Sequence, residues 1–209
     1  MNLFTRTLSV SPEYPLEGVA AAIEMGQQVS KVLGIDVPTW TTLFGAPQAT
    51  ITWSARTESM TSHGANMAKI NADPGMTELI AKAQGKLTGP VQDSMSTFVA
   101  VAGELRTDGK FAAVVTAQVA GGQFAASMGW AVDILNHVAE TTGVGGSLVR
   151  GLYGPFGTLA WIAQFDSFEE VDAYGAAQSA DMAYVQKLDE GGHMFVPGSA
   201  VQTLLQRLA

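Results

Sequence analysis

With 209 residues and no cysteine, the chain can form neither a disulfide nor a thiolate metal site, and it has no cysteine nucleophile. Its formal net charge of -8 and its lack of a Lys/Arg cluster argue against nucleic acid as a partner, because phosphate binding requires a basic face. No apolar run approaches the roughly 18 residues of a membrane span, and the first residues do not resemble a signal peptide. We therefore expect a soluble, cytoplasmic protein without a membrane span.

The first half of the chain predicts the element order β-α-β-β-α-β. Its first helix is preceded by Pro15 and followed by Gly34, the residues that helix boundaries prefer. Its second helix begins near Ser59 and is interrupted at Pro74, which cannot donate a backbone hydrogen bond. The predicted strands are 3–10, 37–44, 50–56 and 94–101.

The same order returns after the polar, glycine-bearing segment 103–110, which suits a linker. The last segment is interpreted as a strand because it matches the fourth strand of the first half, although its own spacing also permits a helix. The predicted strands are 111–119, 148–153, 158–165 and 200–208, and the predicted helices are 124–142 and 168–188.

One stretch of the chain occurs twice in a single register. Without a gap, ATITWSARTES aligns with GTLAWIAQFDS, so that Trp53 meets Trp161, and further along Asp73 meets Asp181. A strand-to-helix unit kept in register across two copies indicates duplicated architecture. The sequence therefore predicts two ferredoxin-like repeats, 1–106 and 107–209.

Each repeat is predicted to place its helices on one face of a four-stranded antiparallel sheet. The other face would expose apolar side chains such as Phe4, Val115 and Ile162 to water, which is unfavourable. We therefore expect an α+β fold in which two fused ferredoxin-like β-α-β-β-α-β repeats pack sheet-to-sheet as a pseudo-twofold α+β barrel.

Three shared motifs carry a family resemblance. They are a strand with a central Trp (ITWSARTES and LAWIAQFDS), a Ser that opens the helix, and an Ala-rich helix that reaches an Asp-Pro-x-aromatic element. The first copy of that element has Met76 at the aromatic position, and the second has Tyr184 but lacks the proline. In these features the chain resembles the dimeric α+β barrel superfamily and, within it, the NIPSNAP-like proteins. Relatives of this fold include cofactor-free monooxygenases, isomerases, chlorite dismutase-like haem proteins and members with no assigned activity.

Trp53 and Trp161 lie on the more apolar faces of their strands. We interpret them as core residues between sheet and helices, with the wall of a ligand pocket as the alternative, since the resemblance implies substrate at that position. Asp73 and Asp181 are interpreted as helix N-caps rather than catalytic acids.

The remaining candidates are single polar residues. Arg56 is expected at the end of its strand in water; if it is buried, it would need a hydrogen-bond acceptor or an anionic ligand. His63 and His193 are the imidazoles nearest the expected cavity mouths, and a haem would use one of them as its axial ligand. His137 is expected on the solvated side of its helix. No metal site is predicted, because no histidines or carboxylates pair at ligand spacing.

Two classes of function stay open, with haem binding as a third alternative. The first is a NIPSNAP-like protein that binds a small apolar molecule or serves as a scaffold, as a homo-oligomer if sheet edges pair. The second is a cofactor-independent monooxygenase or isomerase acting on an aromatic or polyketide-like substrate. An enzyme requires a pocket that holds a Trp, a His and an Arg or Asn, whereas a scaffold predicts filled clefts. The candidate ligand-binding residues are Trp53, Arg56, His63, Trp161, Tyr184 and His193.

Overall fold

The structure, a computed structural model, describes residues 1–209 as an α+β chain of strands and helices. The strands are β1 Asn2–Val10, β2 Thr39–Phe44, β3 Thr50–Thr57, β4 Leu87–Ala102, β5 Phe111–Gln118, β6 Gly146–Tyr153, β7 Thr158–Phe165 and β8 Val201–Arg207. The helices are α1 Pro15–Leu33, α2 Met60–Asn71, α3 Pro74–Ala83, α4 Phe124–Thr142, α5 Phe168–Ala180 and α6 Met182–Gly191, followed by a short 3-10 helix, Gly192–Met194. No helix is both long and apolar enough to cross a membrane.

The chain divides into two compact units. Unit 1 comprises Met1–Met95 together with Gln206–Ala209, and unit 2 comprises Ser96–Leu205. The pseudo-twofold relation between two repeats, and the predicted boundary after residue 106, stay predictions.

In unit 1, β3 lies between β1 and β2 and pairs antiparallel with both. The register places Arg6 of β1 and Thr39 of β2 on either side of Trp53. The end of the chain continues this sheet, because Leu208 donates its backbone N–H to the oxygen of Thr39 at 2.7 Å. Helix α1 covers the sheet, and the buried core beneath it contains Leu8, Val10, Ala22, Val37, Ile51 and Trp53.

In unit 2, β7 lies between β5 and β6 and pairs antiparallel with both. The register places Val115 of β5 and Leu148 of β6 on either side of Trp161. Helix α4 ends at Gly143, whose φ of 71° is a left-handed conformation that glycine adopts without strain. The buried core of this unit contains Ala102, Val119, Ala131, Leu135, Leu148 and Leu159.

Most predicted elements are confirmed, and two need correction. The prediction of one helix over 168–188 is wrong, because Asp181 adopts an extended conformation between α5 and α6 and caps the second helix. The fourth strand begins at Leu87, earlier than predicted. The strand interpretation of the last segment is confirmed by β8, and its helical alternative is wrong.

Candidate functional site

Trp53 is buried between the sheet and helix α1, as expected. Its indole N–H donates to the backbone oxygen of Ala22 at 3.0 Å, so the ring has a fixed orientation. Gly26, one turn further along α1, leaves the space that the indole and Thr39 occupy, because a Cβ at that position would overlap the Thr39 hydroxyl and lie 3.0 Å from the Trp53 ring. The absence of a side chain at Gly26 is therefore a packing requirement of Thr39 and, to a lesser degree, of the tryptophan.

A cavity of about 90 Å³ adjoins Trp53, and we call it the unit-1 cavity. Strands β1 and β3 and helices α1, α2 and α3 supply its walls. Its inner end is apolar and buried, with Trp53 and Met76. Of its polar lining residues, Thr57 is buried, Arg6, Ser54, His63 and Asn66 are half-buried, and Arg56 is exposed.

His63 reaches this cavity from the first turns of α2. The helix begins at Ser59, whose hydroxyl accepts a hydrogen bond from the backbone N–H of Ser62 at 3.1 Å. The imidazole is half-buried and packs against the ring of Phe4, with 4.6 Å between ring centroids and a tilt of 40°. One edge of the imidazole ring is therefore held by an aromatic neighbour that is also a wall of the cavity.

Arg6 supplies a fixed positive charge beside His63. It donates two hydrogen bonds of 2.8 Å to the carboxylate of Asp93, and its guanidinium carbon lies 5.8 Å from the centre of the Phe4 ring. The bond to Asp93 raises the pKa of Arg6. The same bond, aided by the charges of Arg6 and His63, lowers the pKa of Asp93 against the opposing effect of burial.

A second cavity of about 100 Å³ adjoins Trp161, and we call it the unit-2 cavity. The indole N–H of Trp161 donates to the oxygen of Ala131 at 3.0 Å, which repeats the Trp53 arrangement. Trp161 meets Trp130 edge-on with 5.9 Å between centroids, and Phe195 packs against both rings. These aromatic rings make one end of the cavity rigid and apolar.

The polar groups of the unit-2 cavity are two phenols, from Tyr174 and Tyr184, and two amides, from Gln178 and Gln202. Burial raises the pKa of Tyr174 to about 12, with the proximity of Tyr184 adding to the effect and a hydrogen bond with Gln178 opposing it. Burial also raises the pKa of Tyr184. Both phenols are therefore protonated hydrogen-bond donors throughout the physiological range.

His137 is not on the solvated side of its helix, and that prediction is wrong. Its Nε2 lies 2.6 Å from Oδ2 of Asp181, which also accepts from Thr141 at 3.0 Å. Burial opposes ionisation of Asp181, but these two bonds and those from two backbone N–H groups together lower its pKa. Asp181 thus links α4 to the start of α6 and positions the helix that carries Tyr184.

In unit 1 an uncharged amide takes the place of the histidine in the corresponding helix junction. Gln28 of α1 donates to Oδ1 of Asp73 at 2.8 Å, and the same oxygen caps α3 by accepting from the backbone N–H of Met76. Both aspartates are therefore N-caps, as predicted, and both connect neighbouring helices.

The structure brings the predicted site residues into two groups. Trp53, Arg56 and His63 line the unit-1 cavity, whereas Trp161 and Tyr184 line the unit-2 cavity. His193 lies outside both cavities, exposed on the short 3-10 helix. Their roles in binding stay predictions.

Sequence reasoning missed several residues that line the cavities: Phe4, Arg6, Asn66, Trp130, Tyr174 and Gln178. Two of these residues could have been identified as candidates from the sequence. Asn66 follows His63 at helical spacing, and the register of the duplicated stretch matches it to Tyr174. Arg6 and Trp130 could not have been, since only strand pairing and helix packing bring them to the cavities. No group of His, Asp and Glu side chains is arranged to hold a metal ion.

No family model matches the chain, and no curated protein matches it in sequence. Several solved structures are similar in fold. A candidate monooxygenase from Fusobacterium nucleatum has a TM-score of 0.71 at 12% identity, over 100% of this chain and 92% of the other. An anthrone oxidase-like protein has a TM-score of 0.67 at 12% identity, over 100% and 91%. A candidate monooxygenase from Lactobacillus acidophilus has a TM-score of 0.64 at 12% identity, over 99% and 93%.

At this level of identity the likeness concerns the fold alone. It supports the predicted α+β barrel fold, and membership of the dimeric α+β barrel superfamily stays a prediction. The resemblance to NIPSNAP-like proteins within that superfamily stays a prediction.

Proposed function

We propose that the protein is a cofactor-independent monooxygenase whose substrate places one aromatic ring in the unit-1 cavity. One observation carries this proposal. The cavity brings together the side chains that an enzyme of this kind requires, namely Trp53, His63 and Asn66 with the guanidinium group of Arg6. A scaffold with filled clefts would not need them at one opening.

The size of the cavity limits what can enter it. An engineered apolar cavity of roughly 150 Å³ binds benzene. The unit-1 cavity, about 90 Å³, is smaller, so it can take no more than a single ring packed against Trp53, with the remainder of the substrate at the opening. That position presents an acidic C–H or phenol to His63 and Arg6.

In the proposed reaction, the imidazole of His63 accepts a proton from a methylene activated by an adjacent aromatic carbonyl system. Arg6 stabilises the resulting enolate by its positive charge. The enolate transfers electrons to O2 and forms a carbon–oxygen bond, giving a hydroperoxide after protonation. Loss of water breaks the O–O bond and the second C–H bond. The methylene becomes a carbonyl, one oxygen atom of O2 enters the product and the other leaves as water.

The comparisons support this choice of reaction, because two of the similar structures are candidate monooxygenases and a third is anthrone oxidase-like. An anthrone has a methylene of the required kind. We therefore choose 1,8-dihydroxyanthrone as the test substrate, since its terminal ring can enter the cavity while its methylene stays at the opening.

The test measures O2 consumption and product formation with 1,8-dihydroxyanthrone, using oxygen-18 gas. We expect catalysis above the buffer rate, with one labelled oxygen in the product, and a loss of at least about 100-fold in His63→Val, the typical contribution of a general base. Valine is the residue that the register places at the matching position, Val171. His193→Ala is the control histidine variant and should keep the wild-type rate. A wild-type rate equal to buffer, or an unchanged rate in His63→Val, contradicts the proposal.

A binding or scaffold role without chemistry is the second candidate. It is favoured by the Arg6–Asp93 pair, because a guanidinium already bound to a carboxylate provides less stabilisation to an enolate. This candidate predicts that the ring binds beside Trp53 without O2 consumption. Four further assignments are proposed from the sequence: the NIPSNAP-like resemblance, the two fused repeats, the cytoplasmic location and a homo-oligomer.

Haem does not fit the residues present. The cavity beside His63 is about 90 Å³, well below the roughly 300 Å³ at which pockets for drug-sized ligands begin, and Phe4 packs on the imidazole. His193 lines neither the unit-1 nor the unit-2 cavity and is exposed. We therefore derive no step through haem.

A further inference from the structure

We propose that the unit-2 cavity is a second, separate binding site, for a small uncharged aromatic molecule that carries one hydrogen-bonding oxygen. This inference goes beyond the proposed function, because it concerns the other unit and requires no chemistry there. It rests on the shape, the charge and the hydrogen-bonding groups of the cavity.

Tryptophan rings in fixed orientations give the unit-2 cavity its shape. Trp161 is fixed by its bond to Ala131, and Trp130 donates its indole N–H to the backbone oxygen of Lys187 at 2.8 Å. Gly191 at the end of α6 makes room for Trp130, since a Cβ there would overlap the indole. The space that remains, about 100 Å³, is bounded by flat apolar surfaces and suits one aromatic ring.

The absence of charged lining residues distinguishes the unit-2 cavity from the unit-1 cavity. The unit-1 cavity includes Arg6, Arg56 and His63, whereas no Lys, Arg, His, Asp or Glu lines the unit-2 cavity. The strand register makes the contrast explicit. The residue paired with Trp53 on β1 is Arg6, and the residue paired with Trp161 on β5 is Val115. An ionised ligand would lose its hydration without gaining a counter-charge, so this cavity selects neutral molecules.

The hydrogen-bonding groups define the ligand further. The polar lining of the cavity consists of the phenols of Tyr174 and Tyr184 and the amides of Gln178 and Gln202. The cap at Asp181 positions Tyr184, whose backbone N–H it binds at 3.3 Å. A phenol that stays protonated donates to a ligand oxygen, which favours a carbonyl or hydroxyl on the ring. In unit 1, the register places Met76 at the corresponding position, and it offers no such donor.

The indole N–H groups provide the measurement. Each of the four tryptophans gives one indole N–H signal by NMR, assigned through single Trp→Phe variants, and they fall two to a unit. The probes are acetophenone, which is neutral with one carbonyl, and benzoate, which has the same ring and a negative charge. We expect acetophenone to shift Trp130 and Trp161 saturably, and benzoate to leave both unchanged at the same concentration.

Two variants make the test specific. Tyr184→Phe removes only the hydroxyl and should weaken acetophenone binding about 2- to 10-fold, the usual effect of one hydrogen bond. Ala113→Phe introduces the side chain that Phe4 provides in unit 1, so it should fill the cavity and abolish the shifts. Equal binding of benzoate, unchanged affinity in Tyr184→Phe, or no saturable response of Trp130 and Trp161 overturns the proposal. This binding test does not measure O2 consumption, so a lack of catalysis in the unit-1 cavity would not change its outcome.

Discussion

The indole N–H of Trp53 donates to the backbone oxygen of Ala22 across 3.0 Å, and this single bond joins the central strand of unit 1 to helix α1. The bond satisfies a helix carbonyl in a buried environment and orients the ring that forms the inner wall of the unit-1 cavity. Stability and ligand binding therefore depend on the same side chain.

Trp53→Phe should lower the free energy of unfolding by about 1–3 kcal/mol, because it removes a buried hydrogen bond to the Ala22 oxygen and leaves space where the larger indole packed. Chemical denaturation by urea measures the loss. Tyr153→Phe is the control, since Tyr153 is 62% exposed and should tolerate removal of its hydroxyl. If the two variants unfold at the same urea concentration, the indole bond does not stabilise unit 1.

Gly191→Ala should destabilise the protein by about 1–3 kcal/mol, because the new methyl group would overlap the indole of Trp130. The adjacent Gly192→Ala is a matched control, since no atom lies within 4 Å of its added Cβ. Its helical φ of -55° suits alanine, so we expect no loss of stability. Thermal unfolding of both variants provides the comparison, and equal midpoints would contradict the packing argument.

Asp181 should contribute stability that depends on pH. Its pKa is lowered in the folded state, so its contribution is complete above the unfolded value of roughly 3.9 and is lost as pH falls through the lower folded value. Asp181→Asn should therefore be less stable than wild type at pH 7, and the difference should disappear in acid.

Urea denaturation at pH 7 and at successively lower pH values tests this dependence. Thr141→Val removes one of the hydrogen bonds that lower the pKa of Asp181 and should show a smaller effect of the same sign. A difference between Asp181→Asn and wild type that is the same at every pH would contradict the prediction.

Arg6→Lys should weaken benzoate binding in the unit-1 cavity several-fold despite keeping the charge. Lysine cannot form the two parallel bonds that hold the guanidinium to Asp93, so the cation would no longer be fixed beside Phe4. Titration of benzoate against the Trp53 indole signal measures the affinity. Lys82→Arg on α3 is the control for a Lys/Arg exchange away from the cavity. Full affinity in Arg6→Lys would show that the bidentate geometry is not required.

Local sequence patterns predicted much of the site's framework. Ser59 and Ser167 begin helices, and Asp73 and Asp181 cap them, because a side-chain oxygen can reach backbone N–H groups two or three residues ahead. The duplicated register also placed both tryptophans on helix-facing sides of their strands, since alternation along a strand assigns each side chain to a face.

Apart from the break at Asp181, the sequence by itself determined the order of strands and helices, the caps and the helix-facing positions of Trp53 and Trp161, because these depend on contacts between near neighbours or on hydrophobic alternation. The tertiary structure alone decided which cavity is charged. Arg6 reaches Trp53 only through pairing of β1 with β3, and Trp130 reaches Trp161 only through packing of α4 against the sheet. Neither contact can be predicted from a local sequence pattern, because strand pairing and helix packing join residues far apart in the chain.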